Sequence, residues 1–373
     1  MIISSLRPRG FRNLAEQELR FEAGLTLVGG PNGAGKSNLL EAVVVLGNLS
    51  SFRPGSALRL VAWGAHGYSL HGIVQRAGTP VEMRQDARLG RHLARSLWRG
   101  GRRLAMGEYL QLCPVAALSS HDRALVLGAP EERRRFLDRL VFHLHPEALQ
   151  LIQQYRKAAR QRSELLASAG PDDAAEAFEQ LLATVGARWV ELRLLALRHL
   201  APRLEAELEA LAWQAGRPQV RYHAPDGLGG PDATQLAARL RSALAQTRRV
   251  DAQQRRTSVG PHRHDLAIAV AGVPAREALS AGQAKLLAVA LRLAVLAVLE
   301  ERLGSSPVVV FDDVDAELDG EALTRVLARL RGRAQVLISS ARPEVVMPVV
   351  GGAAVWRVEG GRVQTGGVER SFP

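Results

Sequence analysis

The sequence predicts an α/β fold, in which a parallel-sheet core and an antiparallel β subdomain are interrupted by an inserted α-helical domain. Segment 24–29 reads as a buried strand, "GPNGAGKS" (30–37) follows it, and the apolar segment 38–46 reads as a helix. A second apolar strand, 308–313, lies far downstream, and leucines at helical spacing occupy much of the interval. The core must therefore be assembled from both ends of the chain around a helical insertion.

The elements in chain order support this division. Residues 1–65 predict a strand, a turn, a strand, the glycine-rich loop and a helix. Residues 66–105 alternate apolar and polar side chains between Gly and Pro turn signals, which predicts antiparallel hairpins. Helical periodicity dominates after about residue 130 and again over 232–256, and Pro202 is expected to kink or restart its helix.

The pattern of a parallel sheet returns after residue 257. "DLAIAV" predicts a short strand, "SAGQAKLLAVALRLAVLAVLEERL" a long helix, and "VVVFDD" and "AQVLIS" two further strands. We therefore predict three segments: the N-terminal part of the α/β domain (1–128), a helical arm domain (129–256) and the C-terminal part of the α/β domain (257–373).

Composition points to a polyanionic partner. The 373 residues carry a formal charge of +12 and a sequence pI near 10.9, which favours nucleic acid, although an arginine-rich composition would give the same balance. The single Cys113 excludes an internal disulfide and indicates a reducing compartment. The N-terminus has no continuous apolar stretch, and the longest apolar run, Leu286–Leu299, is short and contains Arg292. We expect a soluble cytoplasmic protein without a membrane partner.

The glycine-rich loop matches the phosphate-binding pattern G-x-x-x-x-G-K-[ST] through Gly30, Gly35, Lys36 and Ser37. Its glycines allow consecutive backbone N–H groups to point at a phosphate chain, Lys36 reaches the outer phosphates, and the Ser37 hydroxyl suits Mg²⁺. A chance match in a glycine-rich chain is the alternative, and the order of strand, loop and helix argues against it.

Three further motifs accompany this loop. "VVVFDD" ends in Asp312, which suits Mg²⁺, and Asp313, which suits the orientation or deprotonation of an attacking water. "LSAGQ" (279–283) precedes it and resembles the Leu-Ser-x-Gly-Gln signature of the ABC ATPase superfamily, and "AELD" (316–319) looks like that superfamily's D-loop. Each motif alone fits an ordinary strand end or a serine-capped helix; their order and spacing favour the ABC reading.

The distance between motifs separates the branches of this superfamily. Leu279 lies 249 positions after Gly30, which is longer than in transporter subunits, and the interval lacks the long coiled coil of SMC proteins. This geometry resembles the RecF family, the SMC-like branch whose members are recombination mediators. "FRN" (11–13), "LVLGAPEERRRFLD" (125–138) and "SVGPHRHDL" (258–266) resemble stretches of that family, so the resemblance covers nearly the whole chain.

The resemblance implies an ABC-type ATPase head with a helical arm. It implies ATP and Mg²⁺ as cofactors, and an ATP-dependent homodimer with two nucleotides sandwiched between two heads. It further implies slow DNA-dependent ATP hydrolysis, recognition of gapped or single-strand/double-strand junction DNA, RecR as partner, and indirectly RecO and RecA, in repair, replication, recombination and the SOS response. By position, the catalytic residues would be Lys36, Asp312, Asp313 and Ser280, and the metal ligands Ser37 and Asp312. The nucleotide-binding residues would be Arg12, Gly30, Pro31, Asn32, Gly33, Ala34, Gly35, Lys36, Ser37, Asn38, Ser280, Gly282 and Gln283.

The chain departs from the superfamily pattern at several positions. Asp313 stands where a glutamate is usual, which predicts slow hydrolysis, and Ala281 replaces a signature glycine. "LISSAR" offers Ser339 or Ser340 where a switch histidine is usual. The Q-loop glutamine is missing from "SSHDR", where His121 or Asp122 is the candidate for metal or water contacts.

Other functions remain open on the sequence alone. One is the ATP-binding subunit of a membrane transporter, which the helical insertion and positive charge disfavour; another is a non-hydrolysing, nucleotide-gated structural adaptor, which Asp313 favours. GTP is disfavoured, because no Asn-Lys-x-Asp motif follows the loop. Residues 88–103 carry six arginines and no acid, so Arg99, Arg102 and Arg103 either contact DNA phosphates or form a solvated hairpin face.

Overall fold

The computed structural model of the chain describes residues 1–168, 170–229 and 232–368. Its strands are β1 (Ile2–Arg9), β2 (Leu19–Arg20), β3 (Leu25–Gly29), β4 (Gly67–Arg76), β5 (Thr79–Arg88), β6 (Ala94–Arg99), β7 (Arg102–Arg103), β8 (Val115–Leu118), β9 (Pro218–His223), β10 (Asp265–Val270), β11 (Val273–Pro274), β12 (Val308–Phe311), β13 (Val336–Ser340), β14 (Ala354–Glu359) and β15 (Arg362–Val368).

The helices cover about half of the chain and are most extended between residues 130 and 254. They are α1 (Lys36–Asn48), α2 (Met106–Leu110), α3 (Arg123–Leu127), α4 (Pro130–Leu144), α5 (Ala148–Ala167), α6 (Asp172–Ala210), α7 (Ala233–Gln246), α8 (Arg248–Gln254), α9 (Ala275–Ala278), α10 (Ala281–Leu303), α11 (Val314–Glu317), α12 (Gly320–Leu330) and α13 (Pro343–Val350). Short 3₁₀ turns lie at Ala57–Leu60 and Ser120–Asp122.

The chain divides into two compact units. The first contains residues 1–123, 204–214 and the chain from residue 281 onward, and the second contains residues 124–203 and 215–280. These limits lie near the predicted boundary at 128/129 but place the second boundary at 280/281 instead of 256/257. The difference arises because β10 and β11 pair with β9 in a three-stranded sheet of the second unit.

The first unit is built on two six-stranded sheets. One has the order β15-β14-β3-β13-β12-β8, in which every neighbouring pair from β14 to β8 is parallel. The other, β2-β1-β4-β5-β6-β7, is antiparallel throughout. Helix α1 packs between them, in contact with β13 and β8 on one side and β4 and β5 on the other. The predicted α/β fold, with a parallel core, an antiparallel β subdomain and a helical insertion, is confirmed.

Local sequence explains the two kinds of strand. All four residues of β12 are buried, as expected for a strand covered on both faces. In β4 and β5, buried side chains such as Leu70 and Met83 alternate with polar ones, so one face of the antiparallel sheet packs on α1 and the other carries the polar side chains.

Three features of the structure differ from the sequence expectations. Strand β10 forms as predicted, but it is antiparallel to β9 and lies outside the parallel sheet. Strand β9 itself was not foreseen, because its alternation is short and carries Arg221 and His223. Helix α6 does not restart at Pro202 but continues through it as one helix, and the predicted kink stays a prediction.

Helix α10 is the one helix among the described residues that is long and apolar enough to cross a membrane. Two thirds of its apolar window, 67%, is buried inside the protein, as in the core helix of a folded domain.

Candidate nucleotide-binding site

The phosphate loop connects β3 to α1, and its backbone requires glycine. Gly30 has a φ of +146°, and a Cβ there would lie 2.3 Å from the carbonyl oxygen of Val358. Gly35, with a φ of +116°, is the N-cap of α1, where a left-handed backbone turns the chain into the helix. The loop therefore presents its N–H groups at the N-terminus of a 13-residue helix, which is an arrangement that binds anionic phosphates.

Lys36 is held over this loop. Its side chain is buried, with 4% exposure, and Nζ donates hydrogen bonds to the carbonyl oxygens of Gly30 (2.7 Å) and Pro31 (3.1 Å). Ser37 follows it in the first turn of α1, partly exposed. Residues 31–33 are exposed, whereas Ala34 is buried and donates its N–H to the Pro31 carbonyl (3.2 Å).

A C-terminal hairpin supports the loop from outside. The turn between β14 and β15 places the N–H of Gly361 2.8 Å from the carbonyl oxygen of Ala34. The carbonyl oxygen of Gly361 in turn accepts a hydrogen bond from the N–H of Ala15 at 2.9 Å. Nothing in the local sequence of the hairpin signals this contact, because its partners are more than 300 positions away in the chain.

The paired carboxylates lie at the same edge of the parallel sheet as the loop. Strands β3 and β12 flank β13, so the loop after β3, Asp312 after β12 and the end of β13 converge at their carboxyl ends. Ser339 of β13 donates its hydroxyl to Asp312 Oδ1 (2.7 Å) and accepts the N–H of Asp313 (2.9 Å). Of the two serines offered by the sequence, Ser339 is thus the one bonded to both acids.

Asp313 has the chemistry of a poised base. Its φ of 50° and ψ of 53° are left-handed, a conformation that Asp and Asn adopt more readily than most residues. Burial, followed by the neighbouring charge of Asp312, raises the pKa of this carboxyl above its ordinary 3.8, while Lys36 opposes the rise. A carboxylate with a raised pKa accepts a proton from water more readily than an ordinary aspartate does.

The side chains suited to Mg²⁺ are a hydroxyl and a carboxylate. Ser37 and Asp312 both supply oxygen ligands, and Asp312 Oδ1 is already oriented by Ser339. Mg²⁺ commonly takes one or two protein oxygens and completes its octahedron with phosphate oxygens and water, so this pair fits the ion. In the described part of the chain, no group of three or more His, Cys, Asp or Glu side chains is arranged to hold a metal.

An ion pair with a buried carboxylate holds the turn at Arg12 against the helix that follows the phosphate loop. Arg12 donates from Nε and Nη2 to the two carboxylate oxygens of Glu41 (2.7 and 2.8 Å), and Glu41 is fully buried on α1. Ser51 and Arg53 also approach this carboxylate, with Arg53 Nη1 donating to Asn38 Oδ1 at 2.8 Å. Arg12 is therefore anchored to the loop helix by two of its three nitrogens; its predicted contact with the nucleotide stays a prediction.

No sequence motif marks Glu41 as a residue of this site. It lies five residues after Lys36 in a run of apolar residues. A carboxylate in such a run is the sequence signal that could have indicated a buried ion pair. Because an unpaired buried charge is strongly unfavourable, a cation had to be expected opposite it.

The signature segment is exposed at the start of a buried helix. Ser280 precedes α10, and Ala281, Gly282 and Gln283 open it; all four are exposed, whereas α10 becomes largely buried from Ala284 onward. An added Cβ at Gly282 would meet no atom within 4 Å. The segment thus presents the start of a helix and small side chains to solvent.

The helix that carries the signature is anchored to the end of β8. Lys285 donates to the carbonyl oxygen of Ser119, and Arg292 donates from Nε (3.1 Å) and Nη2 (2.9 Å) to Asp122 Oδ1. Asp122 Oδ2 accepts the Ser119 N–H at 2.6 Å. Both oxygens of Asp122 are therefore occupied within the protein, which argues against Asp122 as a ligand for metal or water.

Two other predicted segments are placed as follows. Arg99, Arg102 and Arg103 are exposed on the β6–β7 hairpin, where Arg102 pairs with Glu108 at 3.3 Å. In the predicted D-loop, the side chains of residues 316 and 317 lie outside the described residues, and Asp319 caps α12 by accepting the Ala322 N–H (2.8 Å).

The phosphate loop, the Asp-Asp strand end and the signature helix define a phosphate-loop ATP-binding protein of the ABC type with an SMC-like head. The family described as "RecF/RecN/SMC N terminal domain" matches residues 2–363. The chain is 33% identical over 371 residues to the "DNA replication and repair protein RecF" of Myxococcus xanthus, covering 97% of each protein. It is 34% identical over 346 residues to the protein of the same name from Thermosynechococcus vestitus, covering 91% of this chain and 90% of that one. The chain belongs to the RecF family.

Solved structures agree with this assignment. "Structure of the recombination mediator protein RecF-ATP in RecFOR pathway" superposes with a TM-score of 0.88 and 28% identity, covering 98% of this chain and 99% of that one. An Smc head bound to the C-winged helix domain of ScpA gives a TM-score of 0.56 at 17% identity, covering 99% of this chain and 98% of that one. This second likeness concerns the fold alone.

Proposed function

We propose that the chain is an ATP-controlled DNA-binding recombination mediator. Two chains would bind two ATP molecules between their heads, recognise gapped or single-strand/double-strand junction DNA, and help RecA loading with RecR and RecO. The observation that carries the proposal is the convergence of Lys36, Asp312 and Asp313 at one sheet edge, together with an outward-facing signature segment on α10.

Each residue at the site has a defined part in this proposal. The loop N–H groups and Lys36 bind the phosphates, and Ser37 with Asp312 holds Mg²⁺, which when bound neutralises phosphate charge. Asp313 orients the attacking water and takes its proton. Ser280 and Gly282 of the other chain cover the terminal phosphate, so hydrolysis requires two chains.

Support for the DNA side of the proposal comes from charge and kinship. The formal charge of +12 favours a polyanion, and relatives spanning nearly the whole chain carry the name "DNA replication and repair protein RecF". The alternative of a nucleotide-gated adaptor that does not hydrolyse ATP is favoured by one residue, Asp313, which is shorter than the usual glutamate.

Gel filtration tests the proposal directly. Wild-type protein should elute as a monomer without nucleotide, as a dimer with ATP, and as a larger complex when gapped duplex is added with ATP. A phosphate-release assay on the same samples separates the mediator from the adaptor, because the adaptor would dimerise without releasing phosphate. Elution that does not respond to ATP or to DNA would contradict the proposal.

The β6–β7 hairpin gives a prediction about DNA contacts. If Arg99, Arg102 and Arg103 contact phosphates, changing all three to Ala should reduce the slope of log affinity against log salt on duplex DNA by about 0.9 for each lost contact. ATP binding should be unchanged. The measurement is a salt titration of DNA binding by fluorescence anisotropy.

A charge-matched control separates this effect from the loss of net charge. Three arginines on helix surfaces are changed to Ala together: Arg188, Arg241 and Arg325. If the two triple variants lose the same amount of salt slope, or if neither loses any, the hairpin arginines do not contact DNA phosphates. They would then be assigned to a solvated face of the hairpin.

A further inference from the structure

Two segments that resemble the RecF family outside the nucleotide site lie side by side in the second unit. They are residues 125–138, which lead into α4, and residues 258–266, which lead into β10. Arg133 binds Asp265 through Nε (3.0 Å) and Nη2 (2.7 Å), and Arg134 Nη1 donates to the His264 carbonyl at 3.2 Å. The proposed ATP chemistry uses neither segment.

A cavity of about 360 Å³ opens where these segments meet α5 and α6. Its charged lining consists of four arginines and two carboxylates, which leaves two positive charges in excess; these residues are Arg134, Arg135, Arg156, Arg193, Glu131 and Asp138. The arginines come from three different helices, α4, α5 and α6, so their guanidinium groups approach the cavity from separate directions.

Arg193 is held rigidly in the cavity wall. It is buried with 1% exposure, lies over the Trp189 ring at 4.3 Å, and donates from Nε to Asp138 Oδ1 (2.8 Å) and from Nη1 to the Pro261 carbonyl (2.7 Å). Its Nη2 also lies 2.8 Å from Asp138 Oδ1, so the guanidinium is ion-paired with Asp138 and contributes a fixed positive charge to the wall of the cavity.

The carboxylates of the lining do not neutralise all of this charge. Arg135 is paired on the exposed surface of α4 with Glu131 (2.6 Å) and with Glu132 (2.9 Å), which lies outside the lining, so the excess positive charge comes from the other three arginines. Asp138 accepts from Trp189 Nε1 (2.9 Å) as well as from Arg193, and Arg156 is 3.9 Å from its other oxygen. One aspartate thus faces two arginines, while Arg134 donates to a neutral carbonyl.

His262 adds no charge at neutral pH. Its Nε2 lies 2.9 Å from the Thr257 carbonyl, so this nitrogen carries the proton, and Nδ1 accepts from the Tyr155 hydroxyl at 3.1 Å. Burial lowers the pKa of His262 to about 4. The excess charge of the cavity therefore comes from arginine alone, and it stays constant across the neutral range.

We propose that this cavity binds a phosphate group of DNA, an inference that rests on the DNA binding proposed above. Guanidinium groups form paired, charge-assisted hydrogen bonds with phosphate oxygens, and arginine is the usual residue for this recognition. Donors that arrive from three helices match the tetrahedral arrangement of phosphate oxygens better than a planar carboxylate. Arg156, 63% exposed on α5, is the outermost of these donors and is expected to meet the phosphate first.

The test compares two arginines of the same helix. Arg156 lines the cavity, whereas Arg160, one turn further along α5, is exposed and outside the lining. Arg156→Gln should weaken binding of gapped duplex by about tenfold at low salt and reduce the salt slope by about 0.9, whereas Arg160→Gln should change neither. Both positions are exposed, so neither change should alter folding, which a thermal melt checks.

A second variant reaches deeper into the cavity. Arg134→Gln, which leaves Arg193 and Asp138 intact, should weaken DNA binding to a similar extent, and the double variant Arg134→Gln/Arg156→Gln should lose more than either. Wild-type binding that is equal to that of the double variant would overturn the inference and leave the proposed function standing. A wild-type protein that binds no DNA at all would instead remove the proposed function.

Two further experiments identify the source of the anion. In the first, binding of inorganic phosphate is compared between the wild type and Arg156→Gln. If only the wild type binds phosphate while both bind DNA equally well, the cavity is a site for the free ion, and the DNA assignment is contradicted. Poly-glutamate that requires Arg156 for binding, when DNA does not, would assign the cavity to an acidic protein segment. The DNA assignment requires that DNA binding respond to Arg156 and that poly-glutamate compete poorly.

Discussion

Lys36→Ala and Ser280→Arg chains, each inactive alone, should recover ATP hydrolysis when they are mixed. In the proposed dimer, Lys36→Ala removes the buried ammonium assigned to the outer phosphates, and Ser280→Arg blocks the exposed face assigned to the partner's nucleotide. In a mixed dimer, one site combines both lesions, while the other joins an intact Lys36 to an intact Ser280. Random pairing of equal amounts makes about half of the dimers mixed, so about a quarter of the wild-type rate is expected if the two sites act independently.

The control for this experiment is an arginine placed elsewhere. Ser242 is exposed within α7, and Ser242→Arg should hydrolyse ATP as wild type does. Specific activity of the wild type should also rise with protein concentration below the dimer dissociation constant. A Ser280→Arg protein with a normal, concentration-independent rate would show that one chain holds a complete site, and the two-head proposal would fail.

Asp313→Asn should slow ATP turnover by roughly 10² or more while leaving ATP binding intact, as expected for a lost general base. The exchange is conservative for the backbone, because Asn accepts the left-handed conformation at this position and the N–H bond to Ser339 is kept. The measurements are single-turnover hydrolysis and equilibrium binding of ATP. The ATP-bound dimer should accumulate in this variant.

The pH profile distinguishes loss of the base from a general disturbance. Because a general base must be ionised, the wild-type rate should fall as pH decreases through the pKa of Asp313. The Asn variant should lack this acid limb. Glu321→Gln, an acid-to-amide change in an exposed ion pair on α12, should leave rate and profile unchanged. Near-normal turnover in Asp313→Asn would direct attention to His121 or Ser339.

The parts of the site that were predictable are those encoded by adjacent residues. The loop around Lys36 and the two acids after β12 each carry their chemistry in a short stretch, and a parallel sheet brings strand ends to one edge. The ends of β3, β13 and β12 therefore meet as the motifs predicted. The choice of Ser339 over Ser340 needed the structure, because the two serines lie on opposite faces of a strand.

The parts that were not predictable depend on distant partners. The Arg12–Glu41 pair joins a turn to a helix, and Gly361 contacts Ala34 from the far end of the chain. Strand β10 shows the same limit: its apolar alternation predicted a strand correctly, but only the presence of β9 decides which sheet it enters. Periodicity identifies the kind of element, whereas the choice of neighbour depends on packing that no local pattern contains.

The strand order of the parallel sheet has a consequence for biosynthesis. Strands β3 and β8 are made early, yet β13 and β12, which come from the last fifth of the chain, lie between them. The ribosome needs on the order of tens of seconds to make the intervening residues. During that time β3, which precedes the phosphate loop, lacks its neighbouring strand β13. Much of the second unit, by contrast, has already been made, and its helices can pack against one another. A nascent or truncated chain should therefore fold its helical arm first and remain unable to bind ATP. Nucleotide binding by such a chain would indicate that synthesis has reached β13.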